Sequence, residues 1–134
     1  MTTGTKLPPE LEKFVEPYYV EPFGQMPPIP GERLRTGAHL APEVTVAAEE
    51  ARRQALFSDV FDNKTAQLFV VAIMAGSGSA GLPWHMRAAR RYGATWDELY
   101  KVVEIAAFFK GFGALQEAGL VLGRLWQEEA ENSE

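Results

Sequence analysis

Beyond Pro42, the apolar positions of the chain are spaced mostly as they are in helices. The segment EVTVAAEEARRQALF directly follows Pro42 and predicts a helix of about four turns, because proline suits the first helical position. The segment KTAQLFVVAIMAG is almost wholly apolar from Leu68 onward, a pattern that fits a buried helix as well as a strand. Because no other segment has the pattern of a strand, we interpret it as a buried helix.

Further helices are predicted in the C-terminal half. One begins at Pro83 and ends at Gly93. The next begins at a T-x-x-E capping box, Thr95 to Glu98, and ends at Gly111. The last is indicated by apolar and small residues at helical spacing, which are Phe112, Leu115, Gly119, Leu122 and Trp126. The sequence therefore predicts an all-α domain.

Residues 1–42 differ from the rest of the chain because they contain eight of its nine prolines. Such spacing disfavours long helices and central strands, so we expect an extended, proline-rich N-terminal arm. The arm carries aromatic residues that need a surface to pack on, and we favour the surface of a neighbouring subunit over the chain's own core. The predicted organisation is an arm over residues 1–42 and a helical domain over residues 43–134.

Composition excludes several classes of function. The net charge of −5 at pH 7 lacks the basic excess that nucleic-acid binding requires. The chain has no cysteine, which excludes thiolate catalysis, disulfides and zinc–thiolate sites. The longest apolar run, Leu68 to Ala75, is too short to span a bilayer, and the N-terminal segment has no signal-peptide core. We therefore expect a cytoplasmic protein without nucleic-acid or membrane partners.

The segment SGSAGLPWHMRAA carries the candidate chemistry. Pro83 places Trp84 and His85 in the first turn of a helix, where the unpaired N–H groups disfavour an imidazolium. A histidine that is neutral near pH 7 suits acid–base chemistry. Arg87 or Arg91 could hold an anionic substrate, since guanidinium binds carboxylate through two hydrogen bonds.

A second interpretation of this segment needs no ligand. Trp84 and His85 can be core residues at a helix start, and the arginines that follow can form a solvated face. From spacing alone, this interpretation is the more frequent outcome. A metal site is not expected, because His39 is the only other histidine and no pair of a histidine and a carboxylate falls at ligand spacing on one helix.

Three motifs support a resemblance to a known family. They are H-x-R-A-A from His85, G-A-T before a helix start at Gly93 to Glu98, and A-x-F-x-G-F from Ala107 to Phe112. With them, residues 64–115 resemble the carboxymuconolactone decarboxylase family, whose fold is shared with alkylhydroperoxidase-D-like proteins. The resemblance implies an alkylhydroperoxidase-D-like helical bundle.

The redox branch of this family carries C-x-x-C-x-x-x-H, and its two cysteine positions fall on Gly78 and Gly81 here. Without those thiols, the resemblance implies that the protein is not a peroxidase. A glutamate of that branch's proton relay falls near Gln67, which can bind a ligand but cannot shuttle protons. The decarboxylase branch also lacks the cysteines and keeps the histidine and arginine, so the chain is most similar to that branch.

The resemblance therefore implies a cofactor-independent lyase that decarboxylates or isomerises a small carboxylated lactone or aromatic-derived substrate. The catalytic residues would be His85 as acid or base and Arg87. The substrate-binding residues would be Trp84, Arg91, Gln67 and Tyr92. Two alternatives remain: a non-catalytic small-molecule-binding or assembly module on the same fold, and another cofactor-free reaction such as hydrolysis or cyclisation.

A homo-oligomer is also expected, a trimer or hexamer in which the N-terminal arms are candidates for exchange. The family's helical pairs bury apolar faces between subunits, and Gly119 and Gly123 permit close helix approach. Several side chains of the arm could close over a neighbour's site or simply pack, namely Glu16, Tyr18, Tyr19, Glu21 and His39. Lys110 is interpreted as a surface lysine at a helix C-terminus.

Overall fold

The structure is a computed structural model that describes residues 6–133. Every regular element in this part of the chain is helical, which confirms the predicted all-α class. The chain divides into two compact units, one ending at Val60 and the other beginning at Phe61. Within the described residues, no helix combines the length and apolar character needed to cross a bilayer.

The first unit contains four helices and one π-helical turn in the described residues. They are α1 (Pro9–Glu12), the π-helical turn (Glu16–Val20), α2 (Glu21–Phe23), α3 (Pro28–Leu40) and α4 (Pro42–Leu56). The expectation of an extended arm is therefore wrong for residues 6–42. The long helix α3 lies where the density of prolines was taken to forbid one.

The prolines begin these helices and do not interrupt them. Pro9, Pro28 and Pro42 occupy the start of α1, α3 and α4, where a missing backbone N–H costs no intrahelical hydrogen bond. Pro27 lies just before α3 in an extended conformation and ends the connection from α2. A count of prolines therefore misled the prediction, whereas their positions relative to helix starts explain the structure.

Helices α3 and α4 pack against each other within the first unit. Their close approach depends on Gly37. A Cβ atom at that position would lie 2.2 Å from Oγ1 of Thr45, so any larger residue would force the helices apart. Thr45 in turn donates a hydrogen bond to the carbonyl oxygen of Ala41 at 2.7 Å.

The second unit contains the predicted helices: α5 (Asn63–Ser77), α6 (Leu82–Arg91), α7 (Trp96–Lys110) and α8 (Phe112–Asn132). The apolar segment KTAQLFVVAIMAG is helical, as interpreted from the sequence. Helix α5 packs against the other three helices, around a core that includes Val71, Met86, Leu99 and Val103, each 0% exposed.

Local hydrogen bonds fix where the helices of the second unit begin. Asp62 Oδ1 accepts from the backbone N–H of Thr65 at 2.7 Å and caps α5. The predicted capping box of α7 is present in both directions between Thr95 and Glu98. Lys64 Nζ donates to Glu98 Oε2 at 3.1 Å, and the Thr95 backbone N–H together with Lys64 holds the pKa of Glu98 below its usual range.

Candidate functional site

The turn between α5 and α6 positions His85. Gly78 has a φ of 69°, which ends α5 in the left-handed conformation that glycine adopts most easily. Gly81 packs against α5, since a Cβ there would lie 3.1 Å from Cε of Met74. The backbone N–H of His85 then donates to the carbonyl oxygen of Gly81 at 3.2 Å. Helix α6 begins at Leu82, one residue before the predicted start at Pro83, and His85 lies in its first turn.

His85 and Gln67 form the central contact of the candidate site. Nδ1 of His85 lies 2.7 Å from Oε1 of Gln67, whose side chain projects from the first turns of α5 and is 1% exposed. Because an amide oxygen only accepts, Nδ1 carries the proton and Nε2 carries the lone pair in the neutral ring. The contact thus selects one tautomer of His85.

The structure places Arg87 on a different side of α6. Residues two apart in a helix are separated by about 200°, so His85 and Arg87 face different neighbours. Arg87 Nη2 donates to Glu128 Oε2 of α8 at 3.2 Å, and its guanidinium carbon lies 5.0 Å from the Trp84 ring centroid. Within the chain, Arg87 is therefore directed to α8 while His85 is directed to α5.

The remaining predicted substrate-binding residues are distributed along α6. Trp84 is partly buried under the Arg87 guanidinium. Tyr92, at the C-terminal cap of α6, lies on the His85 side of the helix, since seven residues are close to two full turns. Arg91 is exposed, in the last turn. The structure thus brings Gln67 to His85 and leaves the substrate-binding roles as predictions.

Arg90 has a structural role that the sequence did not indicate. Its Nη1 donates to the carbonyl oxygen of Ala94 at 2.6 Å, and its guanidinium carbon lies 4.2 Å from the Trp96 ring centroid. It also pairs with Glu129 of α8, and this pairing lowers the pKa of that carboxyl group. Arg90 therefore ties the end of α6 to the start of α7 and to α8, and is not part of a simple solvated face.

Lys110 and His39 are both exposed side chains in the last turn of a helix. Lys110 is exposed at the last residue of α7, which confirms the interpretation as a surface lysine, and its stem crosses Gly76 of α5. His39 is exposed in the last turn of α3. Among the described residues, no group of three metal-ligating side chains is placed to hold a metal ion.

A buried polar cluster in the first unit was not predicted. Glu49 of α4 is 2% exposed; its Oε1 accepts from the Tyr19 hydroxyl at 2.7 Å, and its Oε2 accepts from Arg33 Nη2 at 2.7 Å. Arg33 Nη2 also donates to the Tyr19 hydroxyl oxygen at 2.9 Å. Burial, together with the hydrogen bond to Glu49, raises the pKa of Tyr19 to about 12. We name these residues, with Arg52 beside them, the Glu49 cluster.

The burial pattern of α4 explains why the sequence did not indicate this cluster. Thr45 and Glu49 are buried one turn apart, whereas the apolar residues of the same helix lie on its outer side. The exposed apolar positions of α4 are Val44, Ala47, Ala48, Ala51 and Ala55. On this outer side, α3 and α4 border an open groove of about 1000 Å³ whose lining includes Ile29, Leu40 and Val44. The inward face of α4 is thus polar, the reverse of the usual amphipathic arrangement.

Two features allow the chain to be assigned to a class of protein. They are the helical second unit and the cysteine-free turn before His85. The model of the carboxymuconolactone decarboxylase family matches residues 42–122. The chain belongs to this family, as its motifs predicted.

Known structures support the fold. A crystal structure of a candidate carboxymuconolactone decarboxylase from Burkholderia xenovorans LB400 is similar to the chain, with a TM-score of 0.72 and 23% sequence identity. The similarity covers 92% of this chain and 96% of that chain. At this identity, the likeness shows the fold and not the activity. The curated proteins contain no match.

Proposed function

We propose that the protein is a cofactor-independent lyase of the carboxymuconolactone decarboxylase type, acting in the cytoplasm on a small carboxylated lactone or an aromatic-derived acid. The observation that carries the proposal is the hydrogen bond of 2.7 Å between His85 Nδ1 and Gln67 Oε1. It supports an acid–base role because it orients the imidazole and assigns its two nitrogens different functions.

The proposed reaction needs no external electron acceptor. The carboxylate must be attached to the saturated carbon next to a C=C bond that is conjugated with the lactone carbonyl. When the C–C bond to the carboxylate breaks, CO₂ leaves and the electron pair enters a dienolate. A proton is then delivered to carbon, and the dienolate collapses to the isomeric enol lactone. The protein must hold the anion, stabilise the dienolate oxygen and transfer the proton.

His85 is the proton-transfer group in this proposal. Gln67 is uncharged, so it orients the ring without the strong stabilisation that a carboxylate would give to an imidazolium. Protonated Nε2 can therefore donate its proton readily to the substrate carbon and return to the neutral form. Gln67 acts as a positioning residue, which sharpens the substrate-binding role assigned to it from the sequence.

Arg87 remains the proposed anion-binding residue, although its present partner is Glu128. The side chains of the pair are 37% and 55% exposed, and exposed pairs of this kind contribute little to stability. A substrate carboxylate could therefore replace Glu128. Trp84, Arg91 and Tyr92 complete the proposed substrate-binding set along α6.

Release of CO₂ tests the proposed function directly. We expect the purified protein, without added metal or cofactor, to release one CO₂ per molecule of an unsaturated carboxylated γ-lactone. The measurement is a coupled CO₂ assay across a panel of carboxylated lactones, with decarboxylated analogues as controls. If no member of the panel releases CO₂ faster than buffer while some of them bind, the lyase proposal is wrong.

A second candidate function is a non-catalytic binding or assembly module. The direction of Arg87 favours it, since the guanidinium contacts Trp84 and Glu128 and is turned away from His85. In this case, saturable binding of a carboxylate without chemical conversion is the expected result. Calorimetry on the same panel, followed by analysis of the recovered ligand, distinguishes the two functions.

Homo-oligomerisation, as a trimer or hexamer, is the other part of the proposal. Around the junction of α7 and α8, Phe108, Phe109 and Phe112 are 79%, 83% and 70% exposed. Aromatic groups of this size contribute strongly to subunit interfaces when they are buried, and contiguous exposed apolar patches mark such interfaces. We therefore assign this surface, named the phenylalanine surface, to contact with a second copy of the chain.

Charge placed on the phenylalanine surface should dissociate the oligomer. We expect Phe109→Asp to shift the mass measured by light scattering from that of an oligomer to that of a single chain, because a carboxylate cannot be buried unpaired. Val60→Asp is the matched control, since Val60 is also apolar and is 78% exposed outside the helices. A wild-type monomer, or an unchanged mass for Phe109→Asp, would contradict the assignment.

A further inference from the structure

The Glu49 cluster contains more positive than negative charge. It combines two guanidinium groups, those of Arg33 and Arg52, with one carboxylate, and that carboxylate is already bound by Arg33 and the Tyr19 hydroxyl. In the part of the chain that the structure describes, no carboxylate forms a salt bridge with Arg52. One positive charge of the cluster is therefore not compensated by a direct partner.

The Arg52 guanidinium is held in one orientation. Its Nη1 donates to the carbonyl oxygen of Tyr18 at 3.0 Å. Its central carbon lies 4.1 Å from the ring centroid of Tyr19 and 5.7 Å from that of Phe57. Stacking on aromatic faces fixes the plane of the group, and the carbonyl contact fixes its rotation within that plane. The group is thus preorganised without a carboxylate partner.

The surroundings of Arg52 would be improved by a bound anion. Burial lowers the pKa of Arg52 by more than the neighbouring Tyr19 and Glu49 raise it, and the positive charge of Arg33 adds a smaller lowering. On balance, the neighbourhood disfavours the charge that the side chain carries. An anion close to both guanidinium groups would reverse this penalty.

Donors that could bind an anion remain unused in Arg52. Among residues 6–133, a hydrogen-bond partner is found only for its Nη1. The sole fully buried side-chain nitrogen or oxygen without a partner in that range is Nε of Arg35, so the remaining N–H groups of Arg52, a partly buried residue, are not completely enclosed. Nε and Nη2 lie along one edge of the guanidinium, in the spacing that binds the two oxygens of a carboxylate.

We propose that Arg52, supported by the positive charge of Arg33, is a binding site for a carboxylate group. The ligand is either a free small carboxylate or the acidic side chain of a second copy of the chain. This site belongs to the first unit and is independent of the His85 chemistry. Tyr19 and Phe57 supply the stacking surfaces, and Glu49 holds Arg33 in place.

Nitrogen-15 NMR of the arginine Nε–H groups tests the site in the full-length protein. Sodium acetate is added at constant ionic strength against sodium chloride. We expect the Arg52 signal to shift with saturation, with a Kd on the order of 1 mM. Arg52→Lys keeps the charge but loses the two-donor edge and its own Nε–H signal, so acetate binding to wild type and variant is compared at the Arg33 Nε–H signal. The substitution should weaken binding at least about tenfold. Arg53→Lys is the matched control, since Arg53 is the next residue and already pairs with Glu50.

Each outcome of the titration is informative. A saturable shift that is independent of protein concentration identifies a free carboxylate as the ligand. A signal that changes on dilution of the protein, and that acetate restores, identifies an acidic side chain of a second copy. A linear shift of equal size at Arg52 and Arg53 means general screening only and overturns the proposal. Unchanged acetate affinity in Arg52→Lys, with native circular dichroism, overturns it as well.

Discussion

Replacing His85 with alanine is expected to lower the turnover of a carboxylated lactone by about 10²- to 10⁴-fold, the usual contribution of one positioned acid or base. The physical reason is that the variant retains the anion-binding groups but has no donor for the proton that must reach carbon. Steady-state CO₂ release measures the effect. We expect the loss in kcat, with a smaller change in KM, because proton transfer belongs to the transition state and not to ground-state binding.

His39→Ala is the matched control, because His39 is the other histidine of the chain and is exposed on α3. It should retain full turnover. Circular dichroism must show that both variants keep their helix content. Full turnover in His85→Ala would remove His85 from the mechanism and leave the fold assignment intact.

The Gln67→Glu variant tests the role of Gln67 in the same assay, through the pH dependence of activity. A carboxylate 2.7 Å from Nδ1, in place of the present amide oxygen, would stabilise the imidazolium and raise the pKa of His85. If His85 acts as the acid, the high-pH limit of activity moves to higher pH. If His85 acts as the base, the low-pH limit of activity moves to higher pH. An unchanged pH profile would show that Gln67 only fills space.

The helices of the second unit could be predicted because their signals are local. The capping box at Thr95 and Glu98 satisfies backbone groups within four residues, and Gly111 at a φ of 117° ends α7 where few other residues could. Such signals depend on neighbouring residues alone. The same is true of the turn at Gly78, which ends α5.

The arrangement of side chains around α6 could not be predicted in the same way. Spacing identified Arg87 as a functional candidate, but its direction depends on where α8 places Glu128, 41 residues later in the chain. The Gln67–His85 contact likewise joins two helices. The family's motif suggested Gln67 as a binding residue but not its contact with His85, since no periodic pattern indicates which polar residue of α5 meets which residue of α6.

The structure of the first unit could not be predicted from the sequence, for a different reason. Its prolines act at helix starts, and its interior helix buries Glu49 while exposing Val44. Hydrophobic periodicity assumes that apolar faces point inward within one unit. When a polar cluster fills the interior, the same periodicity indicates the wrong side of the helix.

Replacing Glu49 with alanine is expected to destabilise the first unit by about 2–4 kcal/mol. The substitution leaves the Tyr19 hydroxyl without its acceptor and leaves Arg33 and Arg52 as neighbouring positive charges without the nearby carboxylate of Glu49. The loss of unfolding free energy should be smaller than the largest losses caused by breaking buried ion pairs, because the Arg33 side chain is 47% exposed and can be rehydrated. Urea unfolding followed by circular dichroism measures the loss.

Glu50→Ala is the matched control for this prediction, since Glu50 is the next residue of α4 and pairs with Arg53 on the surface. It should unfold close to the wild-type midpoint, because an exposed pair within one helix contributes little. Tryptophan fluorescence locates the loss: Trp84, Trp96 and Trp126 all lie in the second unit, so their signal should change less than the helical signal in Glu49→Ala. Equal, small shifts of the unfolding midpoint in the two variants would mean that the Glu49 cluster does not stabilise the unit. Glu49 is the only buried acidic side chain within the described residues, and its removal would then cost no stability.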